Sequence, residues 1–269
     1  MEIVRINDLR TSELEPYYKL SEPELMHLYE PHGGVFIAET PMIIERSIEA
    51  GYEPESMLIC EDYIDNATGI LQRHGMENTD IPVYVSEEAE ISKLTGYKLT
   101  RGMLATMRRK ELPGILDVLR DRRRIAVLED VMNPTNVGAI FRSAAALGVE
   151  AILLTSGCSD PLYRRACRVG MGTAFLIPWT YCSDDYIEML HCHSYKAVAM
   201  ALRGDSVTID DPVLRSEPCL AIILGTEGEG LKSETIENAD YTVKIPMAAG
   251  VDSLNVAAAS AVAFWEFTK

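Results

Sequence analysis

The sequence predicts an α/β protein in which a small α/β domain precedes a larger domain built on a mostly parallel sheet. Three observations carry that prediction. From Ile125 onward, short apolar runs alternate regularly with helical patterns, as expected of parallel strands covered on both faces. Three of the strand ends in that stretch carry loops rich in Gly, Asn, Pro and Ser, and ligands of open α/β sheets gather at strand carboxyl ends. The length, 269 residues with 47% hydrophobic and 25% charged content, suffices for one large or two modest cores.

In chain order, Val35 to Ala38 reads as a strand, followed by a helical pattern from Pro41 to Ala50 that stops at Gly51. Met57 to Cys60 and Val83 to Val85 read as two more strands. The pattern breaks at Glu111-Leu112-Pro113-Gly114. These features place a small domain over 1–110, a basic linker over 111–124 and the larger domain over 125–269. In the latter, strands are predicted at Ile125 to Leu128, Ala151 to Thr155, Lys196 to Leu202, Leu220 to Leu224 and Tyr241 to Ile245. Helices are predicted at Asn136 to Leu147, Asp184 to His191, Leu231 to Asn238 and Leu254 to Phe267.

Composition excludes several classes. The longest apolar stretch, Val256 to Trp265, is too short to span a bilayer, and the N-terminus lacks the pattern of a signal peptide. The expectation is a cytoplasmic protein with no membrane association. Six cysteines without a CxxC pair read as free thiols. His191-Cys192-His193 is too compact for all three to face one ion, and no second ligand cluster accompanies it, so no metal is expected.

The net charge of −16 argues against a nucleic-acid partner until its distribution is considered. Residues 1–100 hold 7 Lys+Arg against 20 Asp+Glu, whereas residues 101–269 hold 18 against 21. The acidity therefore sits in the first third. Eight basic residues (Arg101, Arg108, Arg109, Lys110, Arg120, Arg122, Arg123 and Arg124) fall in one short stretch. They serve either as phosphate contacts or as a solvated connector.

The first loop runs from Asn133-Pro134 into a helix carrying Asn136 and Arg142. Asn and Pro open helices naturally, so Asn133 reads as a cap. Arg142 has Gly138, Ala139, Ala145 and Ala146 as its neighbours three and four residues away. If buried there, its guanidinium needs either a structural ion pair or a phosphate. The second loop, Gly225-Thr226-Glu227-Gly228-Glu229-Gly230, nearly spells a P-loop. However, Leu231 stands at the lysine position and two carboxylates would repel phosphates. A cationic or neutral ligand suits it better. The third runs from Ile245-Pro246-Met247 to Asp252-Ser253-Leu254-Asn255. Ser253 either caps the closing helix or serves a ligand, and Asn255 is placed to offer its amide to one.

Taken together these segments resemble the SpoU-type (TrmH-like) RNA ribose methyltransferases of the SPOUT superfamily. Asn136 to Ala144 is similar to the family's first motif and Leu224 to Leu231 to its second. Ile245-Pro246-Met247 with Ser253 to Val256 is similar to its third. The order holds over residues 125–267. The resemblance implies a parallel sheet whose C-terminal segment forms a deep trefoil knot, which periodicity alone would never suggest. Residues 35–60 and 94–107 look like the small domain, similar to a ribosomal protein, that precedes the catalytic domain in many members. S-adenosylmethionine is the implied cofactor, and a ribose 2′-hydroxyl of structured RNA (ribosomal or transfer) the implied acceptor. A homodimer with facing knot regions is the implied assembly.

By position, Arg142 would be the catalytic arginine, with Asn136, Glu227, Ser253 and Asn255 positioning RNA and Arg142. Gly225, Thr226, Ile245, Met247 and Leu254 would line the cofactor pocket. A guanidinium, the weakest acid among the cationic side chains, suits electrostatic stabilisation of a developing alkoxide better than proton abstraction. The acidic first domain departs from this picture. RNA would follow Arg108 to Arg124 joined by Arg164, Arg165 and Arg168, or that domain meets a protein, or it reads RNA by shape and stacking. The alternatives are a non-catalytic RNA-binding protein retaining the fold and a nucleotide-binding switch. Every motif position is filled, which argues against the first.

Overall fold

The computed structural model describes residues 2–6, 10–95, 101–204, 206–250 and 253–269. Residues 96–100, within the stretch that resembles a ribosomal protein, and Asp252 of the third loop lie outside the described residues. The chain divides into two compact units, Met1–Glu111 with Leu162–Phe175 and Leu112–Pro161 with Leu176–Lys269. In order, the first unit contributes β1 (Glu2–Arg5), α1 (Glu15–Tyr18), α2 (Glu22–Met26), β2 (Val35–Glu39), α3 (Pro41–Glu49), β3 (Pro54–Cys60), α4 (Ile64–Arg73), β4 (Pro82–Ser86), α5 (Glu88–Thr95) and β5 (Met103–Arg108). The second unit begins with α6 (Ile115–Leu119), β6 (Arg124–Leu128), α7 (Pro134–Leu147) and β7 (Ala151–Leu154). The chain returns to the first unit for α8 (Arg164–Val169). It completes the second with β8 (Trp179–Tyr181), α9 (Tyr186–Cys192), β9 (Lys196–Met200), β10 (Val207–Thr208), α10 (Pro212–Ser216), β11 (Leu220–Leu224), α11 (Ser233–Asn238), β12 (Tyr241–Lys244) and α12 (Val256–Phe267).

The first unit is a mixed sheet in the order β1-β4-β3-β5-β2, with β1, β4 and β3 parallel and β5 antiparallel to both neighbours. Sequence patterning misses β5, because a fully buried run such as Met103 to Met107 shows no alternation to distinguish strand from helix. It also misses the destination of residues 162–175. Helix α8 packs on β2, where the buried Glu39 carboxylate takes Arg164 Nε at 3.1 Å and Arg168 Nη1 at 3.7 Å. These two arginines, expected along an RNA track, are ion-paired instead. A carboxylate that is only 1% exposed is tolerable only with such partners.

The second unit is a seven-stranded sheet, β10-β12-β9-β11-β6-β7-β8, in which every adjacent pair is parallel. Strands β6, β7 and β11 are apolar at nearly every position because helices cover both faces. Ile125, Val127, Ala221 and Ile223 pack with α6 and α9, while the alternate residues point to the face where α12 lies against β11 and α7. Phe141 of α7 meets Trp179 of β8 edge to face, with centroids 6.2 Å apart. Residues 112–124 belong to this unit and contain α6, so no free linker stands where one was expected. Apolar Val118 and Leu119 are the reason, since both are buried in the core.

Candidate active site

Strands β7 and β8 extend the sheet on one side of β6, and β11, β9, β12 and β10 on the other. That reversal makes the β6/β11 border a switch point, the place where open α/β sheets bind ligands at strand carboxyl ends. A cavity of about 430 Å³ lies one strand over from that border, walled by the ends of β9 and β11, the glycine loop and the start of α12. A smaller one of about 130 Å³ adjoins it along Met200, Leu202, Ser253 and Leu254, and reaches Ile245 and Met247. The five residues expected around a cofactor, Gly225, Thr226, Ile245, Met247 and Leu254, all line one or both. Leu202, 63% exposed at the end of this wall, is a lining residue that pattern reading absorbed into a strand. An apolar residue just before Arg203-Gly204 was the available signal.

The glycine loop closes on itself through a bridge between Thr226 and Gly230. A Cβ on Gly225 would stand 2.4 Å from the carbonyl carbon of Gly230, so only glycine lets the two arms meet. Gly228 and Gly230 take positive φ values of 91° and 74°, which turn the tip. The large cavity contains Glu227 and Glu229 and, among the described residues, no Lys or Arg. Lys232, the nearest cation in sequence, pairs with Asp130 at 3.1 Å and Asp184 at 3.5 Å. The hydrogen bond to Asp130 is the main cause of its raised pKa, so the amine stays charged and engaged there. This lining does not fit a nucleotide triphosphate. It does fit a ligand bearing a sulfonium.

Asn255 ties the three motifs together. It caps α12, its Oδ1 accepting the Ala257 N–H at 2.9 Å, which settles the helix start and leaves Ser253 exposed on the cavity wall. With Oδ1 committed, its amide nitrogen must donate, and it donates to Asn136 Oδ1 at 3.2 Å and to Glu227. That chain of donors also fixes the Asn136 amide, whose own Nδ2 is buried and finds no acceptor among the described residues. An orphaned buried donor is costly and points to a group the site receives. Asn133 caps α7 as read from sequence, accepting the Thr135 N–H at 2.9 Å.

Arg142 is the residue the sequence placed least well. It is exposed on the outer face of α7, and no described residue pairs with it. The burial that would have forced an internal partner is absent. Helix geometry puts it about 9 Å along the axis and roughly 240° around from Asn136. It therefore points to a different side of α7 from Asn136. The basic stretch behaves in the opposite way, because six of its eight members donate internally. Arg108 grips Glu55, Arg120 pairs with Asp117, and Arg124 binds the carbonyls of Phe267, Pro218 and Glu217. Arg109, Lys110 and Arg122 hold the carbonyls of Val35, Ala50 and Val118.

Comparison with known proteins agrees with this geometry. The family model described as the SpoU rRNA Methylase family matches residues 123–265. An uncharacterized tRNA/rRNA methyltransferase of Mycobacterium bovis is 34% identical over 87% of this chain and 80% of its own length. The 23S rRNA (guanosine-2′-O-)-methyltransferase RlmB of Escherichia coli is 27% identical over 72% of this chain and 81% of its own. Among solved structures, an RNA 2′-O ribose methyltransferase covers 98% of this chain and 97% of its own at 26% identity and TM-score 0.77. An AdoMet-bound rRNA methyltransferase of Sinorhizobium meliloti, 23% identical and covering 98% and 97%, shares the fold at TM-score 0.80. With half the chain under the family model, two motifs lining one cavity and the first hydrogen-bonded to its rim through Asn136, the chain belongs to the SpoU family of RNA methyltransferases, which take their methyl group from S-adenosylmethionine.

Proposed function

We propose that this enzyme methylates a ribose 2′-hydroxyl of structured ribosomal or transfer RNA. The observation that carries the reading is the Asn255 amide, which joins residues 119 and 28 positions away in sequence at the edge of one carboxylate-lined cavity. S-adenosylmethionine supplies an electrophilic methyl group on a sulfonium. The backbone of Gly225 and Thr226, with Ile245, Met247 and Leu254, would hold it, while Glu227 and Glu229 favour its positive charge. Asn136, Glu227, Ser253 and Asn255 orient the ribose toward the cavity, and orientation contributes several kcal/mol to such a transfer. The guanidinium of Arg142 would stabilise the ribose oxygen as it takes the methyl group, with the carbon–sulfur bond breaking and the hydroxyl proton passing to solvent.

The second unit forms a trefoil-knotted fold in this reading. In support, β11 is inserted between β6 and β9, and α12 returns from the edge strands to pack against α7. The protein acts in the cytoplasm as a homodimer. In support of the dimer, Ala258, Val262 and Trp265 form an exposed stripe at helical spacing on α12, with Trp265 58% exposed. A partner seated there would also meet the α7 region that presents Arg142. The first unit serves as the substrate-binding domain. No helix among the described residues is long and apolar enough to cross a membrane.

The test is transfer of a labelled methyl group from S-adenosylmethionine to total RNA, followed by mapping of 2′-O-methyl positions in cells with and without the gene. A 2′-O-methyl position lost with the gene supports the reading. Cofactor binding without transfer to any RNA would favour a non-catalytic RNA-binding protein. Val262→Glu, measured by sedimentation, should yield monomers, and an unchanged mass would remove the dimer.

A further inference from the structure

Glu129 follows β6 directly and is 2% exposed. A carboxylate this deep is retained only where donors satisfy it, and here both oxygens are filled. Oε1 accepts the Lys232 backbone N–H at 2.8 Å. Oε2 accepts the Tyr186 hydroxyl at 2.7 Å and the Thr235 hydroxyl. The Glu129 backbone N–H, in turn, donates to the Leu224 carbonyl at 2.9 Å. Leu224 precedes the glycine loop and Lys232 follows it. One residue thus grips both feet of the loop, the first through its main chain and the second through its side chain.

We propose that Glu129 is a positioning residue for the cofactor loop. It fixes the separation of the two feet, and with them the loop from Gly225 to Gly230 that lines the cavity, without lining that cavity itself. The inference rests on the reading of this loop as the cofactor site. The hydrogen-bond pattern distinguishes positioning from simple core filling. A glutamine could keep the Lys232 tie through its carbonyl oxygen while its amide donates to Tyr186 and Thr235, whose hydroxyls can accept as well as donate. A methionine of similar size fills the space and leaves the Lys232 N–H without an acceptor.

The experiment uses the full chain and measures S-adenosylmethionine affinity by calorimetry, with amide hydrogen exchange over residues 225–231 recorded in the absence of ligand. Glu129→Met should weaken binding about tenfold or more and speed exchange in the loop, whereas Glu129→Gln should stay within about threefold of wild type. Thr235→Val keeps the Lys232 tie and should also bind within about threefold. A folded Glu129→Met protein with wild-type affinity and exchange overturns the proposal. If that variant does not fold, Glu129→Asp carries the same test, since it keeps the charge but is one methylene too short to reach Lys232. Wild-type affinity in folded Glu129→Asp then overturns it. Gly225→Ala separates the two readings. Undiminished binding there strikes at the loop as the cofactor site, whereas a loss there without one in Glu129→Met strikes only at Glu129.

Discussion

The two units can be compared by how their charged and amide groups are partnered, and each keeps a buried atom without a hydrogen bond among the described residues, Glu39 Oε1 in the first and Asn136 Nδ2 in the second. In the first, charges far apart in sequence are consumed by one another: Glu39 by Arg164 and Arg168, Glu55 by Arg108, Glu45 by Arg73. In the second, alongside pairs of the same kind, the exposed guanidinium of Arg142 has no partner among the described residues and the Asn136 Nδ2 finds no acceptor. A satisfied pair stabilises a fold, and a donor without a partner stabilises whatever arrives. The difference teaches that the −16 net charge and the basic cluster were weak guides to the RNA surface, because most of those side chains already have partners.

The contrast can be broken most sharply at Arg142. Arg142→Ala should reduce methyl transfer by about a thousandfold while cofactor affinity and thermal stability hold, because the side chain is exposed and no described residue pairs with it. An active variant would remove its catalytic assignment. Glu39→Gln is the mirror experiment in the first unit. It should leave cofactor affinity unchanged but cost on the order of 1 kcal/mol or more in denaturant unfolding, since it removes the negative charge that Arg164 and Arg168 face. A stable variant would mean that the pair is incidental.

Asn255→Ala tests the junction where both behaviours meet. The lost cap should cost about 1 kcal/mol of stability, and the released Asn136 and Glu227 should lower transfer further than that loss explains. A stability loss with transfer intact would reduce Asn255 to a cap.

The smallest effect concerns Asp240, an engaged group within the second unit. Burial pushes its carboxyl up, but hydrogen bonds from Lys196, the Ala197 N–H and His191 together hold it below the usual 3.8. A depressed folded pKa contributes stability that is complete above the unfolded value and fades as pH falls through the folded one. Asp240→Asn should therefore flatten the acid limb of the stability profile below about pH 4 and change little at neutrality. An unaltered acid limb would show the ion pairs to be screened out.

Much of the second unit was legible because its strands and helices are written in local apolar patterns. Ile125 to Leu128 and Leu220 to Leu224 are strands as expected, and Gly148 ends α7. The closing helix starts at Val256 instead of Leu254, because Asn255 outcompetes Ser253 for the cap. Glu129 escaped notice, since a lone acidic residue after a strand looks like ordinary surface until Lys232, Thr235 and Tyr186 close around it.

The sequence alone determined the alternation that makes the parallel sheet, the glycines without which the 225–230 loop cannot close, and the identity of the motif residues. Only tertiary structure decided that residues 162–175 join the first unit, that Arg142 faces outward, and that most of the basic stretch is already bound. The physical reason is range: periodicity and turn chemistry act between neighbours. The partner of a charge, by contrast, is chosen across a hundred residues or more by which surfaces the packed core happens to bring together.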